Sequence, residues 1–229
     1  MGTPLTRQSE FSYRCAGCGQ CCHHKRIQVG AYEIYRLARN RGMSTSEFLD
    51  HYLMPDTPYL RFDTDGACPF LMTGRCDVYA DRPLVCRLYP LGRHVDPNGN
   101  ETFTPLAPHP RSEGRLGGAG TVAAHLEQQG ALPYLIMSDQ YLDLFHELHA
   151  ALQATTMGQR PRSDGHRHAQ VPMSLNGITT FREMLDIDFV LERNPYIGAI
   201  PLSLSAEKAA EHHLKAIRTR LTFTGGGSP

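Results

Sequence analysis

Apolar and polar positions divide the chain into a mixed N-terminal part and, after residue 105, a helical one. From Ala31 to Asn40, Ile34, Leu37 and Ala38 recur at helical spacing, and Gly42 is a natural stop. Ser44 followed by Glu47 forms a capping-box pattern that opens a short helix carrying Phe48, Leu49 and Tyr52. Pro58 to Asp63 and Arg87 to Val95 read as short strands. The second turns through Asp96-Pro97-Asn98-Gly99 and returns along Glu101 to Thr104 as a hairpin. Met1 to Val29 and Cys68 to Cys86 lack periodicity and read as irregular loops, the latter punctuated by Pro69, Gly74 and Pro83.

Further on, Thr121 caps a helix over Val122 to Gln129 with Gly130 as its stop, and Leu132 to about Thr155 is a longer helical run. Met157 to Asn176 reads as an exposed loop. Thr180 with Glu183 is a second capping box, opening Phe181 to Leu191, and Ala206 to Leu221 follows Ser205 as a terminal helix. A mobile tail is expected at Gly225 to Gly227. The fold class expected is α+β: irregular cysteine-rich loops and a small antiparallel hairpin packed against several helices. Residues 1–105 would form a metal-binding region and 106–229 a helical region, packed together as one compact unit.

Composition adds mainly exclusions. Hydrophobic residues make up 41% of the 229 and charged residues 20%, ordinary globular usage. The 23 basic and 23 acidic side chains cancel, so nucleic acid and anionic membrane are not expected partners. No segment approaches about 18 uninterrupted apolar residues, and the first thirteen residues lack a signal-peptide core, so a cytoplasmic location is expected.

Cysteine usage changes the picture. The seven cysteines are odd in number and confined to the first 86 residues, which suits metal binding or redox chemistry better than a disulfide framework. Cys15, Cys18, Cys21 and Cys22 fall within eight residues. Two residues between cysteines let a tight loop aim both sulfurs at one metal or at adjacent cluster corners. Gly17 and Gly19 let the backbone wrap closely and turn N–H groups toward the sulfurs. The neighbours Cys21 and Cys22, if extended, would point to opposite sides and serve two metals or two corners. Cys68, Cys76 and Cys86 supply three more thiols, and all seven are expected metal or cofactor ligands in one joint site. An iron–sulfur cluster of the [4Fe-4S] type is the leading cofactor, because the compact start and the Cys68-Pro69 pair are similar to ferredoxin loops. Zinc is the alternative.

The run Cys-x-x-Cys-x-x-Cys-Cys, followed by Cys68-Pro69-Phe70-Leu71, Gly74-Arg75-Cys76, Tyr79, Arg82-Pro83, Cys86-Arg87 and Tyr89-Pro90, resembles the YkgJ-type cysteine-cluster family over about residues 15 to 90. That family is described as zinc- or iron-chelating and includes relatives of flagellin lysine N-methylase. The resemblance implies metal binding more firmly than any reaction. The family pattern has a further downstream cysteine that this chain lacks, and His109 is a candidate replacement.

Other groups have simpler readings. His23, His24, Lys25, Arg26, Arg82, Arg87 and Arg93 are read as compensating thiolate charge. The glycine-rich run from Gly114 to Gly120 meets neither Rossmann nor P-loop rules and reads as a flexible connection. His146 and His149 are three apart, not the four that a zinc-protease helix needs. The leading function is iron–sulfur chemistry, either electron transfer or substrate activation by an oxidoreductase or protein-modifying enzyme with a redox or protein partner. No catalytic residue or substrate can be named from the sequence. A zinc-stabilised protein-binding module and a metal storage or delivery protein are the alternatives.

Overall fold

The structure, a computed structural model, describes residues 4–157, 174–175, 179–194 and 204–224. Its first elements are β1 (Tyr13–Arg14), α1 (Ala31–Arg41), α2 (Thr45–Tyr52), β2 (Leu71–Met72), β3 (Arg75–Cys76) and α3 (Leu84–Leu88). Then come β4 (Leu91–Val95), β5 (Glu101–Pro105), β6 (Arg115–Leu116), α4 (Val122–Gln128) and α5 (Leu132–Met157). Last are β7 (Ser174–Leu175), β8 (Thr179–Thr180), α6 (Phe181–Leu185), α7 (Ile187–Glu192) and α8 (Ala206–Thr224). The strands pair as four antiparallel two-stranded sheets, β1–β6, β2–β3, β4–β5 and β7–β8, so the α+β class expected from the sequence holds. No helix among the described residues is long and apolar enough to cross a membrane.

The chain divides into two compact units, residues 1–29 with 50–135, and residues 30–49 with 136–229. In the first, Leu88, Leu91, Phe103, Val122, Leu126, Ala131 and Leu135 form a buried cluster, with Leu5, Phe11 and Leu84 against it. The expected hairpin is present as β4–β5, with Val95 opposite Glu101. Its turn is fixed by the Asp96 carboxylate, which accepts from the backbone N–H groups of Asn98 and Asn100 at 2.8 Å each. The first strand starts later than expected, because Arg87 and Leu88 close α3. Pro58 to Asp63 does not form a ladder. Its backbone is shared between two neighbours, Leu60 donating to Ile27 and Arg61 to Tyr52, which leaves only isolated bridges.

In the second unit, α1 packs against α6, α7 and α8, burying Ile34, Leu37, Ile187, Val190, Ala210 and Ile217. The α1 N-terminus is closed by Glu33, which accepts from the Gly30 N–H at 2.6 Å. Its C-terminus ends at Gly42 in the left-handed region, where Met43 N–H reaches back to Ala38 O at 3.0 Å. The Ser44–Glu47 and Thr180–Glu183 boxes both form. The expected helix from Phe181 to Leu191 instead breaks at Asp186. That buried carboxylate accepts from Thr45 Oγ1 at 2.6 Å, Ser46 Oγ at 2.7 Å and Phe189 N at 3.2 Å, so it caps α7 and ties α2 to it. The expected loop lies largely outside the described residues, as does Gly225 to Gly227; its Ser174 and Leu175 form β7.

His213 is fully buried in this unit, with Tyr141 Oη 2.8 Å from Nδ1 and Glu183 O 2.8 Å from Nε2. Burial holds its pKa down at about 4 against an ordinary 6.5. Between these values the unfolded chain binds the extra proton, so stability falls as the pH drops below about 6.5. Denaturant unfolding at about pH 4.5 is expected to show a loss of about 2–3 kcal/mol relative to pH 7 from this group. His213→Gln should flatten that dependence; an unchanged slope would assign the acid sensitivity elsewhere.

Candidate metal centre

The cysteine loop begins where β1 delivers Cys15. Phe11 N–H donates to Gly120 O and Gly117 N–H to Ser12 O, both at 3.1 Å, so the glycine-rich run is a pairing partner for this segment and not a free connection. Gly114 shows why a side chain is excluded there: a Cβ would lie 2.0 Å from the Tyr13 hydroxyl.

Within the loop, Gly17 and Gly19 take left-handed backbone angles, and Gly17 N–H donates to Cys15 Sγ at 3.4 Å. Residues Gln20–Cys22 then form one 3-10 turn, with Cys22 N–H bonded to Gly19 O at 2.9 Å. The opposite-sides argument for Cys21 and Cys22 therefore falls, since it required an extended backbone. The Cys22 thiol hydrogen-bonds to Cys21, which lowers the Cys21 pKa and, with burial, raises that of Cys22. The Cys21 backbone N–H and the Lys25 ammonium lower Cys21 further.

Two backbone bonds fasten this loop to the second one. Cys68 N–H donates to Cys22 O at 2.8 Å and His24 N–H to Gly66 O at 2.7 Å, either side of the His23–Ala67 bridge. Gly19 meets the β2–β3 hairpin so closely that a Cβ would stand 2.5 Å from Gly74 O. In that hairpin Cys76 is paired with Leu71 across a tight turn at Thr73 and Gly74, both with positive φ. Cys86 sits on α3, a helix that the loop expectation missed. The neighbouring Arg87 holds α3 through Arg82 O at 3.0 Å, Gln129 O at 2.7 Å and Tyr134 Oη at 2.8 Å, and through Ala80 O.

None of the seven thiols is in a disulfide, and all are half-buried. Cys21 acts electrostatically on Cys68 and Cys76, and Cys22 feels Cys68 and Cys86, so the vicinal pair addresses all three later cysteines. Cys15, Cys18 and Cys21 all act on Tyr89. Burial pushes Cys68 up to about 11, although the Phe70 backbone N–H opposes it, and raises Cys76 while the Val78 N–H and Arg82 oppose it. Among the described residues no three His, Cys, Asp or Glu side chains converge on one point tightly enough to hold a metal ion as they stand. The donor set nonetheless fits a thiolate-bound metal in its chemistry: soft sulfur ligands with backbone N–H groups turned toward them.

The sequence did not mark a set of tyrosines around these thiols as functional. Tyr13, Tyr79 and Tyr89 all have hydroxyls raised above the ordinary range, first by burial and then by nearby cysteines. Tyr79 and Tyr89 lay within the quoted family pattern, whereas Tyr13 stood two positions before Cys15 with no such signal. His109 is reached through Tyr89, whose hydroxyl accepts from the His109 backbone N–H at 2.6 Å, while His109 Nδ1 accepts from Arg111 N–H at 3.2 Å. Arg93 is not a thiolate counter-ion: it pairs with Glu101 at 2.6 Å, a carboxylate that also takes Arg7 at 2.5 Å.

The backbone bonds between the loops make Gly19 a sensitive position. Gly17→Ala has open space and meets only the left-handed backbone cost, about 1–2 kcal/mol. Gly19→Ala must in addition displace Gly74, and is expected to lower both stability and retained metal below the Gly17→Ala level. Equal behaviour of the two variants would mean that this contact does not hold the loops together.

Residues 14–106 match the CxxCxxCC family, described as "Putative zinc- or iron-chelating domain". This part of the chain is therefore similar to the cysteine-cluster family, and that similarity supports metal binding. Among curated proteins, an uncharacterized protein of Methanocaldococcus jannaschii is 32% identical over 98 residues, which cover 41% of this chain. The aligned region spans about half, 52%, of that relative's length. No solved structure matches the chain significantly.

Proposed function

We propose that this chain is an iron–sulfur protein in which Cys15, Cys18, Cys21, Cys22, Cys68, Cys76 and Cys86 surround one joint centre holding a [4Fe-4S] cluster. The observation that carries the reading is the linkage of the two loops through the vicinal pair, with Cys68 N–H on Cys22 O and the charges of Cys21 and Cys22 coupled to Cys68, Cys76 and Cys86. Four thiolates complete a cubane, so three remain to shift ligation or meet a second iron. Closure on the metal draws together side chains already fastened by their backbones. When bound, such a cluster supplies one-electron transfer or an iron site for substrate activation.

The residues contribute in separate ways. Backbone N–H groups of Gly17, Phe70 and Val78 serve Cys15, Cys68 and Cys76, and hydrogen bonds to sulfur tune a cluster's potential. Tyr79, which is exposed and has its hydroxyl beside Cys15, offers that hydroxyl to a redox or protein partner. A cytoplasmic, reducing compartment suits seven cysteines without a disulfide. The zinc alternative draws on the same N–H to sulfur turn at Cys15, which suits a closed structural site equally well. Protein purified without oxygen should be brown, absorb near roughly 400 nm and contain iron with matching acid-labile sulfide. Colourless protein holding zinc alone, after expression with ample iron, would overturn the cluster.

A further inference from the structure

Two of the cations expected to balance thiolate charge have other roles in the structure. Arg93 is satisfied by Glu101, and Arg87 is the clamp of α3. Arg82 differs from both. It is only 8% exposed, and its guanidinium donates to Tyr79 O at 2.6 Å and Gln129 Oε1 at 2.7 Å. It also lies 3.9 Å from the centroid of the Tyr79 ring. All of these partners are neutral, and among the described residues no carboxylate pairs with it.

A guanidinium does not shed its proton in proteins, and a buried charge without an opposite charge is destabilising. Arg82 acts on Cys76, and the Tyr79 ring on which it stacks has its hydroxyl beside Cys15. In sequence it lies between Cys76 on β3 and Cys86 on α3, just before the Pro83 N-cap.

We infer that Arg82 is the counter-cation of the thiolate centre: a positioning residue whose buried positive charge, held by Tyr79 and Gln129, is balanced when Cys76 and its neighbours are ionised by bound metal. This rests on the metal-thiolate reading but not on the choice between iron and zinc. It gives the domain a charge that favours loading, since the metal-free protein holds a poorly compensated cation and the loaded one does not.

Cobalt(II), titrated without oxygen into reduced full-length protein, tests this, because thiolate-to-cobalt absorption reports sulfur ligation whichever metal is native. Arg82→Gln is expected to bind cobalt about 10–100-fold more weakly, the usual effect of losing a partner outside the ligand shell. Arg82→Lys, which keeps the charge but not the planar fork, should recover most of that loss. Melting of the metal-free proteins, run in parallel, should show Arg82→Gln at least as stable as wild type, since it removes a poorly compensated charge; a clear loss would make Arg82 a structural clamp and overturn the inference. Unaltered affinity in Arg82→Gln would overturn the inference, as would Arg82→Lys binding as weakly as Arg82→Gln, which would make the hydrogen-bonding fork the operative feature. If Arg82→Gln does not fold, Arg82→Lys decides alone: affinity within about threefold of wild type supports the charge role, and a larger loss overturns it. Wild-type protein that gives no thiolate-to-cobalt band would overturn the metal-thiolate reading itself, and this inference with it.

Discussion

Removing the metal is expected to release the two cysteine loops before the rest of the chain. Thiolate-bound metals contribute on the order of 10 kcal/mol to small domains that fold around them, comparable with the whole stability of many domains. Residues 15–22 and 66–76 have little else to fix them: one 3-10 turn, one two-residue hairpin and a few backbone bonds. In the metal-free state, burial keeps Cys68 protonated up to about pH 11, so it resists presenting a thiolate until metal displaces the proton. Metal binding should consequently strengthen with rising pH, and acid should release the metal. Hydrogen exchange after verified chelation should accelerate in both loops, while α4 and the cluster around Phe103 and Leu126 stay protected. Unchanged exchange in the loops would make a structural role for metal there untenable.

The other large effect lies away from the cysteines. Asp186→Ala removes the acceptor of Thr45 Oγ1, Ser46 Oγ and Phe189 N–H at a point where Asp186 and Thr45 are both fully buried. Thr45 would keep its bond from Asp188 N–H at 2.9 Å but lose the place for its own proton. The expected cost is roughly 3 kcal/mol, since the hydrogen bonds are to a charged group and a buried donor is stranded. For a chain of this length that is a fall of about 10 °C in melting temperature. Asp186→Asn, which keeps an acceptor, should lose less. A melting temperature within a degree or two of wild type for Asp186→Ala would mean that Thr45 and Ser46 find other acceptors.

The sequence made local devices legible and tertiary ones not. Ser44 with Glu47, Thr180 with Glu183, and Thr121 with Ala124 each close a helix within three residues, so their patterns were sufficient. The break at Asp186 depends on hydroxyls 140 residues or so away in sequence, and an apolar pattern running to Leu191 gave no sign of it. Helix α3 stayed hidden for a related reason. It is five residues long and held by Arg87 bonds to Gln129 and Tyr134, which no window around Cys86 contains. The glycine-rich run reads as a flexible connection in the sequence because its partner strand, Tyr13–Arg14, is about a hundred residues earlier. At the candidate metal centre, spacing singles out the cysteines, while the placing of the tyrosines and the burial of Arg82 depend on packing.

If seven cysteines from two loops form a single centre, single Cys→Ser substitutions in the second loop will disturb all of it. Each of Cys68→Ser, Cys76→Ser and Cys86→Ser, purified without oxygen, should hold less metal than wild type and alter the spectrum of the whole site, including the part due to Cys15, Cys18, Cys21 and Cys22. If all three variants keep wild-type metal stoichiometry, spectrum and stability, the shared centre is contradicted and the ligand set shrinks to the first four cysteines.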